Sequence, residues 1–107
     1  MDRPTPRVNA AKLAEFGPGK IVRLIGKVIS LDDDTAILQA SDGGQVTVKL
    51  NGMNTYSDSF VEVIGTITES DAMKELSSLN LGDNIDMAAA DKVVQLTSLY
   101  PDVFPTE

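Results

Sequence analysis

Three consecutive aspartates, Asp32-Asp33-Asp34, are the first place in this 107-residue sequence where metal chemistry could begin. A calcium loop of the EF-hand type opening at Asp32 needs glycine at its sixth position and glutamate at its twelfth. Those positions hold Ile37 and Gly43, so the pattern fails and the run reads as a solvated turn. Gly19-Lys20 looks like the end of a phosphate-binding loop, which requires a glycine five residues before Gly19 and Ser or Thr after the lysine. Ala14 and Ile21 stand there instead. Gly17-Pro18-Gly19 is a turn and not a dinucleotide fingerprint.

The absences exclude more. There is no His and no Cys, so imidazole bases, thiolate nucleophiles and the usual zinc ligands are all missing. A nucleophilic serine would have no histidine to activate it. Nothing marks any two of the 16 acidic residues as a catalytic pair. The sequence therefore assigns no catalytic residue, no metal, no cofactor and no small-molecule substrate. The polar, Pro-rich opening is not a signal peptide, and no apolar run approaches the ~20 residues of a membrane helix.

The remaining chemistry is binding. Arg23, Lys27 and Lys49 are outward positions of their strands and candidates for a weak contact with DNA. Single-strand binders track phosphates with Lys and Arg and stack bases on aromatics. Here the net charge is −7 and aromatic content only 5%. A self-sufficient binder would carry the opposite charge.

The elements that position these residues follow from pattern. Residues 1–8 read as a loose arm with two prolines. Asn9 caps a short helix over 9–16, with Val8 and Leu13 at staple positions, Leu13 and Phe16 towards the body, and Gly17-Pro18 as the stop. From Ile21 to Leu31 runs a long β-branched strand with Gly26 near its middle, where a bend is expected. Thr35–Ala40 and Gln45–Leu50 follow as a meander around Ser41-Asp42-Gly43-Gly44, with Ala36, Leu38, Ala40, Val46, Val48 and Leu50 inward. Asn51–Ser59 is a loop. Phe60–Thr68 is a fourth strand with Val61, Val63, Gly65 and Ile67 on one face. A fifth lies between Met73 and Leu81, with Leu79 and Leu81 inward.

From Asp86 or Met87 to Leu99 the period becomes helical, with Pro101 beyond it. Ala89, Val93, Leu96 and Tyr100 fall on one line at +4, +3, +4, a spacing suited to helix packing. Met87, Ala90 and Val94 widen the apolar arc on one side and Leu99 on the other. An ordinary surface helix has an apolar stripe a little over 100° wide, and this arc covers roughly twice that. One wall of a small barrel cannot shelter it. These eight residues are the expected subunit interface, with a partner helix as the second cover.

The ordered set of motifs resembles the smallest subunit of eukaryotic replication protein A. The resemblance rests on Pro6-Arg7-Val8-Asn9-Ala10 with Leu13 and Phe16, Ile25-Gly26-Lys27-Val28, and Ser41-Asp42-Gly43. It continues through Val61-Glu62-Val63-Ile64-Gly65 and Tyr100-Pro101-Asp102-Val103-Phe104-Pro105. It implies an all-β fold with flanking helices: a five-stranded OB-fold barrel with its N-terminal arm and short helix over 1–84, and an oligomerisation helix and tail over 85–107. It further implies a nuclear heterotrimer with the middle and large subunits, joined through one C-terminal helix from each. Such a complex serves DNA replication, repair and recombination. Its larger subunits carry most of the single-stranded DNA binding. Two other readings stand beside it: a self-sufficient OB-fold module, and the small subunit of a related telomere-capping trimer.

Overall fold

β-Branched residues recur along Ile21–Leu31, and they form one continuous eleven-residue strand that belongs to two walls at once. The computed structural model describes residues 5–52 and 56–99. In chain order the elements are β1 (Arg7–Val8), α1 (Ala10–Phe16), β2 (Ile21–Leu31), β3 (Thr35–Ala40) and β4 (Gln45–Lys49). After them come β5 (Phe60–Glu69), β6 (Ala72–Gly82) and α2 (Met87–Leu99). The sheet order β1-β2-β3-β4-β6-β5 closes on itself because β2 also pairs with β5. Five strands make the ring, and β1 is appended to it.

The first half of β2 pairs antiparallel with β5 and the second half with β3. Gly26 belongs to both pairings, facing Ala40 on one side and Val61 on the other. A Cβ there would sit 2.8 Å from the Leu38 Cβ, so the expected bend at this glycine is a close approach of two walls. A second close approach falls at Gly65, where the register of β5 against β6 shifts. A Cβ on Gly65 would fall onto the Lys74 carbonyl oxygen. Alternation then fills the interior: Val22, Leu24, Leu38, Val46, Val48, Val61, Val63, Ile67 and Met73 are all sealed from solvent.

Three expectations need correction. Residues 7 and 8 are not loose: they add to β2 as a short parallel strand, and the Pro6 carbonyl accepts from the Arg23 amide at 2.9 Å. Phe16 stays 41% exposed, because a helix of two turns ending at Gly17 buries only Leu13. Leu79 is 60% exposed, because its register places it opposite Glu62, an outer-face position, and Leu81 is only half-buried. The inner face of β6 is carried by Met73 and Glu75 instead.

Glu75 is a carboxylate at 1% exposure, and burial of that kind demands hydrogen bonds. Its two oxygens accept from the Asn51 amide at 3.1 Å and from the Tyr56 hydroxyl at 3.2 Å. Desolvation first, and the Glu75 charge second, push the Tyr56 phenol well above its ordinary value. These contacts tie Asn51 and Tyr56 to β6, with the Tyr56 ring packed in the core.

The other polar cluster docks α2. Asp86 caps it, accepting from the Ala88 and Ala89 amides at 3.1 and 3.2 Å. One turn further on, Asp91 Oδ1 accepts from Asn9 Nδ2 at 2.8 Å and from Ser41 Oγ at 2.9 Å. Its Oδ2 accepts from Gln95 at 2.7 Å. Asn9 is simultaneously the cap of α1, its Oδ1 accepting from the Lys12 amide. Asp42, in the same hairpin as Ser41, accepts from the Ala10 and Ala11 amides. The β3–β4 hairpin thus ties down the start of α1 and the middle of α2. The Asn9 hydrogen bond, with help from Ser41 and Gln95, holds the Asp91 carboxyl below its ordinary value of 3.8.

Two outcomes test this architecture. Gly65→Ala must move a backbone carbonyl, and it should cost about 3 kcal/mol in a urea melt. Asp91→Ala should release α2, costing about 2 kcal/mol of docking as read by faster amide exchange confined to that helix. A carboxyl whose pKa is depressed by docking favours the docked state fully above its ordinary pKa. That contribution is lost as pH falls through the docked value, so α2 amide protection should drop below pH 3.8 in the parent chain and lose this step in the variant.

Candidate assembly and nucleic-acid surfaces

With Asp91 turned towards the barrel, the rotation of α2 is set. Val94, one turn along, is buried at 5% exposure, and Ala90 and Met87 are half-buried. The opposite side carries Ala89, exposed, with Val93 at 44% and Leu96 at 41% exposure. The wide apolar arc is therefore split in two. One half packs on the chain's own barrel, and the other is left outward at the +4, +3 spacing.

This docking divides the residues of the expected interface between two sides of the helix. Val94 and Ala90 face the barrel, because the Asp91 hydrogen bonds rotate their side of the helix inward. Ala89, Val93 and Leu96 stay outward. The expectations for the Leu99 side chain and for Tyr100 lie outside the described residues. Asp91 and Asn9 are positioning residues that pattern reading missed: Asn9 reads only as a cap, and nothing in the helical period singles out Asp91. The signal was available in principle, since a polar residue inside an apolar arc wants a partner when buried.

Where α2 meets β1 and β2 there is a cleft of about 90 Å³, bordered by Arg7, Val8, Arg23, Ile25 and Ser41 below and by Ala90, Val93 and Val94 above. Arg7 and Arg23 are register partners on adjacent parallel strands. Arg23 Nε lies 3.9 Å from Glu62 Oε2, too long for a hydrogen bond, and this buried nitrogen has no acceptor.

The three candidate DNA-contacting residues do not form one strip. Arg23 and Lys27 share the outer face of β2, Arg23 being held beside α2 and Lys27 exposed opposite Gln39. Lys49 lies at the far end of the β3–β4 hairpin, paired with Asp34 at 3.6 Å. The Thr35 hydroxyl and then the Lys49 charge keep the Asp34 carboxyl below its usual range. Lys49 and Lys74 border a wide open groove of about 380 Å³ together with Thr35, Thr47, Thr68, Glu69, Ala72 and Met73. Among the described residues no aromatic ring lines it. Tyr56 and Phe60 are both buried, so neither offers a face to a base.

These features can be set beside known proteins. Replication factor A protein 3 of Schizosaccharomyces pombe is 30% identical over 105 residues, covering 97% of this chain and 98% of its own. A chain from the structure of U. maydis replication protein A bound to ssDNA superposes with a TM-score of 0.87 at 27% identity, over 97% of this chain and 98% of that one. A chain of the S. pombe Stn1–Ten1 complex reaches a TM-score of 0.74 at 13% identity, over 92% of this chain and 96% of that one, which is a likeness of fold alone. The sequence model of replication factor A protein 3 matches residues 1–104. An OB-fold ring with a docked C-terminal helix, matched along nearly its whole length by that family, makes this chain a member of the replication factor A protein 3 family.

Proposed function

We propose that this chain is the scaffolding subunit of a heterotrimeric single-stranded-DNA-binding complex of the replication protein A kind. It acts in the nucleus in DNA replication, repair and recombination, and it assembles with the middle and large subunits through α2 in a three-helix bundle. The observation that carries the proposal is the outward line Ala89, Val93, Leu96 on a helix whose other side is already committed to the barrel. By sequence the line continues to Tyr100, with Leu99 beside it.

The magnitudes favour a shared rather than a solitary helix. Val93 and Leu96 each still present roughly two-fifths of their surface, so covering them is worth about 1 kcal/mol apiece. That is too little for a stable complex by itself, and a second and third helix supply the rest of the buried area. A primary role in DNA binding is disfavoured by the −7 charge and by a groove without rings to stack on. The family match favours a replication complex over a telomere-capping one.

Leu96→Asp tests the proposal. It puts a charge where apolar surface must close, and it should weaken incorporation into the trimer on the order of 100-fold. The isolated chain should melt as before, since Leu96 faces outward. Co-purification of the variant with the two larger subunits at parental yield would refute the assembly reading.

A further inference from the structure

In a chain of net charge −7, the cleft beneath α2 concentrates positive charge. Arg7 and Arg23 stand side by side on β1 and β2. Like charges directly opposite one another on neighbouring strands repel, and among the described residues only Glu62 answers them, at 3.9 Å from Arg23. Among the described residues no carboxylate pairs with Arg7. The Arg23 Nε is sealed from solvent without an acceptor among the described residues. Burying a guanidinium donor without an acceptor is costly, and native proteins rarely leave one so. The floor and roof of the cleft are apolar: Val8 and Ile25 below, Val93 and Val94 above.

We propose that this cleft receives an acidic side chain, Asp or Glu, from the partner helix that packs along α2. The inference rests on the assembly reading given above and names the chemistry of its recognition. Val93 belongs both to the cleft wall and to the outward line of α2, so a helix laid on that line borders the mouth of the cleft, within reach of a side chain directed inward. A carboxylate fits the guanidinium fork in a planar two-bond arrangement that a point charge would not exploit. The cleft holds a side-chain end and not a nucleotide. It offers no ring for a base, so a carboxylate on a protein is favoured over a phosphate on DNA. The pair also sets register: a partner helix shifted by one turn would leave its acid against Val93 or Leu96 and the arginines unanswered.

The test is exchange into the assembled heterotrimer, with unlabelled variants competing against the labelled parent chain for the two larger subunits. Arg7→Glu should compete about 10-fold less well than the parent at low salt. Its own melting temperature should hold or rise, because it replaces a like-charge neighbour of Arg23 with an opposite one. Arg7→Met keeps the stem and removes the charge, and it should lose about 3-fold. Raising salt should narrow the gap between parent and Arg7→Met. If both variants compete like the parent, the proposal is overturned. Melting of the isolated Arg7→Met chain well below the parent would also overturn it, as Arg7 would then be a structural residue. Binding of an oligothymidylate to the isolated chain that Arg7→Glu abolishes, with exchange unchanged, would assign the cleft to phosphate instead. Leu96→Asp separates the two readings: if it too competes like the parent, the assembly reading itself has failed, whereas its failure to compete beside a fully competent Arg7→Glu removes only the acidic partner.

Discussion

Asp91 meets Asn9 and Ser41 across 82 and 50 residues of sequence, and that one carboxylate decides how the C-terminal helix lies. A helix whose apolar arc is about twice the usual width has no unique docked rotation from hydrophobicity alone. Either half of the arc would bury comparable area on a small barrel. The hydrogen bonds to Asp91 break that degeneracy. They are directional where burial is not, and a half-buried carboxylate that lost them would pay for its desolvation. Once Asp91 is inward, Val94 must follow it and Val93 and Leu96 must turn away.

The same contact joins elements that are far apart in the chain. Asn9 caps α1 and reaches α2; Ser41 and Asp42 sit in the β3–β4 hairpin and hold α2 and the start of α1 respectively. Both helices are therefore referred to one rigid hairpin of the barrel. An interface carried by α2 is then presented in a fixed orientation relative to the OB fold. A helix on a free tether would lose more orientational freedom on association. On the proposed assembly, the barrel's contribution would be this preorganisation, which would give a domain with few groups suited to gripping DNA a reason to be a closed, well-packed ring.

The strands were legible because their chemistry is local. Alternation at Val46 and Val48, β-branching from Ile21, and turn residues at Asp42-Gly43 each act within a few positions. The inward faces of β3, β4 and β5 follow directly from them. The failures have a common cause in pairing across the sheet. Leu79 is a leucine in a plausible inward pattern, yet its strand's register against β5 sets it opposite Glu62 and sends it outward. Glu75 takes the inner position that a leucine would seem to want, because Tyr56 and the Asn51 amide are waiting for it. Arg7-Val8 makes a strand only because β2 lends it an edge. The helix face was half legible: period identifies the arc, but the choice of which half stays out depends on Asp91 finding Asn9, and no window of sequence contains both.

That division of the helix also bears on the distribution of charge. The chain is acidic, which opposes non-specific association with nucleic acid. Among the described residues the basic side chains are not gathered into a track. Lys49 is paired with Asp34 beside a groove without rings, and Arg23 and Arg7 are set against the inner edge of α2. If the arginines served DNA, they would be expected on the open groove with Lys49 and Lys74, where a backbone could run past them. Placed instead beside α2, they sit where, on the proposed assembly, orientation and register between helices would be decided. On that proposal a basic pair in that position would discriminate among helices that are equally greasy, which is the one task that Val93 and Leu96 cannot perform for themselves.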